Sequence, residues 1–173
     1  MKKILFVALI SLVQLNAKAQ TTDIFKIADI KLPTDAKPVS RSKIYSSDKE
    51  SQYSIISSSY DRLNIYEVGN TLMQINAAQG NYDYDILKFN QSQLADYKPI
   101  STLFNSNVRT INNAQVLCVQ TEIADSARGK YIFVAVNSSN SKIINGVIEY
   151  DKTDRDKAAK ILERVLHSIR MKK

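Results

Sequence analysis

The stretch that decides the fold is Tyr131-Ile-Phe-Val-Ala-Val136, in which every residue is apolar. A strand with one solvated face would alternate apolar and polar residues, so this strand is predicted to be covered on both faces. Two further strand-like runs flank it, at 116–123 and 143–150, and the turn-forming segments 125–129 and 137–140 separate the three runs. The sequence therefore predicts three consecutive antiparallel strands.

A helix at the end of the chain is predicted to cover one face of these strands. Thr153, followed three positions later by Asp156, resembles the start of a capping box. The apolar residues that follow recur at helical spacing and form one stripe: Ala158, Ile161, Leu162, Val165, Leu166 and Ile169. A second helix is predicted within residues 82–97, and Pro99 limits its extension. The predicted fold class is α+β, an antiparallel β-sheet flanked by helices with the C-terminal amphipathic helix packed on the sheet.

The first half of the chain carries weaker patterns. Residues 23–32 are predicted to form a short strand or an irregular arm. Residues 39–60 are rich in serine and charge, so any strand there is predicted to lie at a sheet edge. Over residues 63–78 a hairpin is favoured over a helix, because Gly69-Asn70 is a poor helix-forming pair between two β-favouring runs. No repeat or flexible linker divides residues 20–173, which are predicted to form one α+β domain.

The first 19 residues have the pattern of a secretory signal peptide. Two lysines precede an apolar run over 4–13, and the small residues Ala17 and Ala19 fit cleavage ahead of Gln20. The apolar run is shorter than the roughly 20 residues that span a bilayer, so no transmembrane segment is predicted. A lipid anchor would need a cysteine after the cleavage point, where this chain has glutamine. The product is therefore predicted to be periplasmic or secreted.

The basic charge of the chain is concentrated at its C-terminus. The formal net charge is +7; without the three lysines of the predicted signal peptide, 21 basic and 17 acidic residues remain, or +4. Residues 151–173 hold eight basic and four acidic residues, which is all of that excess. The candidate partner surface comprises Arg155, Lys160, Arg164 and Arg170, for an envelope protein or an anionic lipid surface; the alternative is a solvated helix face. Nucleic acid is not a predicted partner, because the basic segment lacks aromatic residues for stacking.

Residues that could carry catalysis are few. The single histidine, His167, excludes His-rich zinc sites, and a nucleophile pair would have to join it to Cys118. Cys118 lies in an apolar strand run, where burial keeps a thiol protonated and unreactive. Asp83 and Asp85 offer oxygen ligands to calcium, but they lack the spaced ligands of an EF-hand and fit better in the turn before a helix. No metal or cofactor site is predicted.

The leading functional hypothesis is a binding or assembly accessory protein of the cell envelope without catalytic activity. Two alternatives stay open. One is a small enzyme that uses Cys118 or a pair of carboxylates. The other is a carrier that holds a small ligand in a groove lined by some of the nine tyrosines, whose rings have an apolar body and a polar tip.

A candidate modification site lies in the turn between the first two of the three strands. Asp125-Ser126-Ala127 resembles the acceptor triplet for O-glycosylation of exported proteins in Bacteroidota, and leaders that end in Ala-Gln are also typical of that phylum. Ser126 is therefore a candidate O-glycosylation site, since a hairpin loop is accessible.

Four segments of the C-terminal half together resemble the PsbP-like fold, which is shared by photosystem accessory proteins, Ran-binding Mog-type proteins and the bacterial DcrB group. They are Leu117-Cys-Val-Gln-Thr121, Tyr131-Ile-Phe-Val-Ala-Val136, Gly146-Val-Ile-Glu-Tyr150 and Ile161-Leu-Glu-Arg-Val-Leu-His-Ser-Ile169. The resemblance implies an antiparallel sheet between helices, in proteins that are mostly non-catalytic accessories. It carries over no binding residue.

Overall fold

A computed structural model describes residues 20–21, 24–39, 64–80 and 85–172. The strands are β1 (Gln20–Thr21), β2 (Ala28–Asp29), β3 (Lys37–Pro38), β4 (Ile65–Val68), β5 (Thr71–Gln79), β6 (Ser101–Ile111), β7 (Ala114–Ile123), β8 (Arg128–Asn137), β9 (Lys142–Asp151) and β10 (Arg170–Met171). The helices are α1 (Ile24–Ile27), α2 (Ile86–Ala95) and α3 (Arg155–Ser168), with 3-10 turns at Lys98–Ile100 and Lys152–Asp154.

The strands of the described segments form one eight-stranded sheet and a separate two-stranded pair. The order across the large sheet is β3-β4-β5-β9-β8-β7-β6, with β1 paired to the end of β5. All of its pairs are antiparallel. The three predicted strands are β7, β8 and β9, so that prediction and the α+β class are confirmed.

Strand β6 was not anticipated, and it forms one end of this strand order. Its sequence is mostly polar, with few of the apolar residues that mark a strand. It pairs along its length with β7 across the turn residues Asn112 and Asn113, whose φ angles are 49° and 67°. A two-residue hairpin turn of type I′ requires positive φ at both positions, which asparagine tolerates.

Each face of the sheet has its own apolar core, as the apolar run in β8 requires. One face, here the α3 face, packs against α3 and the N-terminal segment with α1. The opposite α2 face packs against α2. In β8, Tyr131, Phe133 and Ala135 belong to the α3 face, and Val134 and Val136 to the α2 face. The prediction that this strand is covered on both sides is confirmed.

Helix α3 follows the predicted stripe but not the predicted cap. Most residues of the stripe are buried, and Ile161 is partly buried: Ala158, Leu162, Val165, Leu166 and Ile169 form the buried set. The capping box at Thr153 is wrong, because the 3-10 turn Lys152–Asp154 takes up that residue. The N-cap is Asp154, whose side chain makes no capping hydrogen bond.

The N-terminal half is partly as predicted. Gly69 opens the turn between β4 and β5 with a φ of +59°, which confirms the hairpin. Helix α2 begins after Asp85, whose carboxylate accepts from the backbone N–H of Lys88 at 3.0 Å. Within the predicted arm, Ile24–Ile27 is one helical turn instead of a strand, and β2 after it pairs with β10. The edge strand predicted over 39–60 lies outside the described residues except for Val39.

The glycine at position 146, in the middle of β9, is explained by the close approach of atoms from the two neighbouring strands. A Cβ at this position would lie 2.4 Å from Cζ of Phe133 on the neighbouring strand and 2.7 Å from the backbone oxygen of Gln74. Because both flanking strands hold their atoms in place, only glycine leaves room for the Phe133 ring.

Candidate functional site

The four cationic residues that the sequence singles out lie on α3 or, for Arg170, just after it in β10, and the structure divides them into two pairs. Arg155 and Arg170 have intramolecular partners. Arg155 forms an ion pair with Glu122, and Arg170 donates to the backbone oxygens of His167 and Ile169 at 2.8 and 3.0 Å. Those carbonyls lie at the C-terminal end of the helix, where backbone acceptors lack intrahelical donors.

Lys160 and Arg164 form the other pair. They are exposed and lie four residues apart, which places them one above the other on the helix surface. Across the described chain, no ion pair or side-chain hydrogen bond is found for either residue. The two cations, here called the α3 patch, are the part of the predicted surface that is free to contact another molecule.

Beneath the start of α3, Glu122 is the centre of a buried polar network. Only 3% of Glu122 is exposed. Its carboxylate accepts from Arg155 Nε and Nη2 at 2.8 and 2.7 Å and from the Tyr150 hydroxyl at 3.0 Å. The hydrogen bonds from Arg155 hold the pKa of Glu122 below its ordinary value, with a smaller contribution from Tyr150. Every hydrogen bond to this carboxylate favours its charged form. A carboxylate that stays charged can hold Arg155 and the start of α3 in place, but it is a poor donor or acceptor of a proton in catalysis.

Two tyrosines complete the network. The rings of Tyr131 and Tyr150 lie 5.0 Å apart, and Gln120 Nε2 donates to both hydroxyls, at 3.0 and 3.2 Å. Both tyrosines are buried in the core of the α3 face. Neither lines an open groove of the kind the carrier hypothesis needs.

The form of the enzyme hypothesis that uses a thiol nucleophile needs Cys118 and His167, which the structure places at the two ends of an interaction chain. Cys118 is buried and interacts with Arg109, Arg109 donates to Glu163, and a Glu163 oxygen lies 3.5 Å from His167 Nε2. Burial raises the pKa of the Cys118 thiol, although Arg109 works in the opposite direction. His167 is exposed on α3, as predicted. A protonated, buried thiol is a poor nucleophile.

A second buried ionic group lies on the α2 face of the sheet, and its residues are not among the candidates predicted from the sequence. Glu149, only 3% exposed, pairs with Arg128 at 3.3 Å and Lys130 at 3.9 Å on the adjacent strand, and Arg128 also lies 3.7 Å from Asp151. Burial raises the pKa of Glu149 and lowers that of Lys130. The available signal was the pairing of opposite charges on neighbouring strands, because Lys130 faces Glu149 and Arg128 faces Asp151 in the register.

The remaining candidate residues are in turns. Ser126 lies between β7 and β8, and its hydroxyl accepts from the backbone N–H of Arg128 at 3.1 Å. Asp85 is the N-cap of α2, and Asp83 is outside the described residues.

Among the described residues, no group of three or more His, Cys, Asp or Glu side chains could hold a metal ion. No helix in the described ranges is both long enough and apolar enough to cross a membrane.

Comparisons with known proteins place the fold. No protein-family model and no curated protein matches the sequence. Among solved structures, LpqN, involved in cell envelope biogenesis of Mycobacterium tuberculosis, matches with a TM-score of 0.54 and 9% identity over 92% of this chain and 88% of LpqN. Cyanobacterial PsbP from Synechocystis sp. PCC 6803 matches with a TM-score of 0.53 and 11% identity over 91% of this chain and 94% of that protein. The Saccharomyces cerevisiae Ran-binding protein Mog1p has a TM-score of 0.46 and 10% identity, over 89% of this chain and 95% of its own. The sheet order, the helices on its two faces and the likenesses to LpqN and cyanobacterial PsbP together confirm the predicted resemblance: this chain has the PsbP-like fold.

Proposed function

We propose that this protein is an exported, non-catalytic binding or assembly accessory of the cell envelope, and that the α3 patch contacts an acidic protein partner. The observation that carries the proposal is the pair of exposed cations Lys160 and Arg164, which have no ion-pair or hydrogen-bond partner among the described residues. They lie on a helix whose opposite side is buried in the core. A partner would supply the carboxylates that the fold itself supplies to Arg155.

An acidic protein fits this patch better than an anionic membrane. A cation near an anionic bilayer gains about 1 kcal/mol, so two cations alone would hold the protein there weakly. Stronger attachment to lipid needs an apolar face that enters the bilayer, and the apolar stripe of α3 is buried against the sheet. Carboxylates of a protein surface can instead be positioned to pair with each cation directly.

The non-catalytic part of the proposal draws support from the state of the reactive groups. Cys118 is buried with a raised thiol pKa, and Glu122 is held in its charged form by Arg155. Export draws support from the signal-peptide pattern of the first 19 residues. The envelope role also agrees with the likeness to LpqN, a protein of envelope biogenesis that has the same fold.

The test of the patch is charge reversal. The double variant Lys160→Glu/Arg164→Glu is compared with Lys26→Glu/Lys98→Glu, which changes the net charge equally at exposed residues outside α3. We expect chemical cross-linking in intact cells to capture an envelope protein with the parent and with the control pair but not with the patch variant. We also expect the association to weaken as salt rises, because exposed charges are screened over about 10 Å at 0.1 M ionic strength.

Unchanged cross-linking of the folded patch variant at low salt would refute the role of these residues. Binding of the parent to phosphatidylglycerol vesicles, lost in the patch variant, would replace the acidic protein by a lipid surface. The enzyme alternative is tested separately by thiol labelling: Cys118 should react only after denaturant is added, and rapid labelling of the native protein would favour that alternative.

A further inference from the structure

The outer side of β6 is a hydrogen-bonding edge that no other described strand occupies. Among the described strands, β6 pairs only with β7. Ile111 and Ala114 flank the two-residue turn, so this pair exchanges hydrogen bonds, and every second residue back along β6 does the same. The residues between them direct their backbone N–H and C=O groups away from β7: Phe104, Ser106, Val108 and Thr110.

This edge lacks the usual features that prevent pairing with another strand. Natural edge strands are protected by lysine, proline, short length or bulges. β6 is 11 residues long and contains no proline, and its register irregularity is confined to Ser101–Leu103. Its single charge, Arg109, is bound to Glu163. Two of the large exposed apolar side chains, Ile100 and Val108, lie next to or within the strand.

The sequence of β6 identifies what can pair with it. Read outward from Ser106 in both directions, three of the first four pairs match in kind: Asn105 with Asn107, Phe104 with Val108, and Thr102 with Thr110. A second copy of β6, laid antiparallel about a two-fold axis at Ser106, would therefore place the residues of these three pairs opposite their counterparts. Cross-strand pairs of like chemistry of this kind stabilise sheets. We propose that β6 pairs with β6 of a second copy of this chain, which would join the two sheets into one.

The backbone geometry and the charges agree with this register. A two-fold axis at Ser106 brings together residues whose N–H and C=O groups point outward, so the new ladder begins with a hydrogen-bonded pair. Arg109 would face Leu103 of the second copy, about 20 Å along the ladder from the other Arg109, so no like charges are opposed.

The Ser106 hydroxyl offers an independent indication. It is buried and has no hydrogen-bond partner in the part of the chain that the structure describes, a state that costs free energy. In the proposed register the hydroxyl of the second Ser106 lies on the same face of the ladder, directly across from it. A hydroxyl both donates and accepts, so after rotation about χ1 toward the two-fold axis each Ser106 hydroxyl would satisfy the other. This inference does not depend on the α3 patch, which lies on a different element.

Cysteine cross-linking tests the register. In the proposed pair the two Ser106 Cα atoms are about 5.5 Å apart, within the range that a disulfide spans. Thr110 lies on the same edge but faces Thr102 of the second copy, so two residues at position 110 would be about 27 Å apart. Under mild oxidation with copper–phenanthroline, we expect Ser106→Cys to give a covalent dimer on a non-reducing gel. Thr110→Cys and the parent, whose Cys118 is buried, should form no covalent dimer on that gel.

Light scattering on the protein without added cysteines provides the second measurement. The parent should show twice the monomer mass at high concentration and dissociate on dilution. Val108→Lys places a charge opposite Phe104 of the second copy and should remain monomeric, whereas Ser138→Lys, in the exposed turn after β8, should behave as the parent. A parent that is monomeric at every concentration, or a Thr110→Cys variant that cross-links as readily as Ser106→Cys, would overturn the proposal.

Discussion

Replacing Leu166 with alanine tests the packing of α3 on the sheet. Leu166 is fully buried within the core of the α3 face. The substitution removes three carbon atoms, which corresponds to about 2.4 kcal/mol of lost transfer free energy at about 0.8 kcal/mol per buried methylene. The cavity left between helix and sheet adds to this, so we expect the free energy of unfolding to fall by about 3–5 kcal/mol. That is a large part of the roughly 5–15 kcal/mol that stabilises a typical domain.

The assay is urea denaturation of the parent and the variant, with thermal melting as a second probe. For a chain of this length each kcal/mol lowers Tm by about 2–4 °C, so a fall of roughly 6–20 °C is expected. The matched control is His167→Ala on the next residue, whose side chain is 66% exposed and whose loss should change stability by less than about 0.5 kcal/mol. A Leu166→Ala midpoint equal to that of the control would refute the packing of this helix on the sheet.

Two further perturbations address single contacts. Gly146→Ala forces a Cβ against the Phe133 ring and the Gln74 backbone oxygen, so urea melts should show the free energy of unfolding fall by at least the upper end of about 1–3 kcal/mol. Gly69→Ala meets open space and should lose only the roughly 1–2 kcal/mol that its positive φ costs; equal losses would contradict the close approach. Glu122 has a pKa below its ordinary value of 4.5 because Arg155 bonds its charged form, so its contribution to stability is complete above pH 4.5 and is lost as the pH falls through the folded-state pKa. Glu122→Gln should therefore flatten the acid limb of stability against pH, and an unchanged limb would show that another group controls it.

Local sequence patterns were sufficient to predict an element where the residues of one strand face or one turn determine its structure. The unbroken apolar run 131–136 predicted cover on both sides of the strand, with a helix on at least one of them, and the structure has a core on each face. Gly69 and Asp85 predicted a hairpin and a helix start, because positive φ and N-capping are properties of single residues. The exposure of His167 followed from its place outside the apolar stripe of α3.

Local sequence patterns could not predict which residues of the candidate sites are free and which have partners in the fold. Of the cations named from the sequence, Arg155 and Arg170 have partners in the fold, and Lys160 and Arg164 do not. The two pairs cannot be told apart by residue type or helical spacing. Arg155 differs only because Glu122, which is remote in sequence, is carried to the start of α3 by the strand β7.

The sequence by itself determined the elements whose signal is periodic and local: the strands β7, β8 and β9, the β4–β5 hairpin, α2, and the buried stripe of α3. Only the tertiary structure decided the strand β6, the pairing of β2 with β10, the start of α3 at Arg155, and the ionic groups around Glu122 and Glu149. The physical reason is that each of these depends on groups distant in the chain. A polar strand such as β6 is stabilised by the hydrogen bonds of its neighbour, and a buried carboxylate by a cation from another element, so neither can be inferred from its own residues.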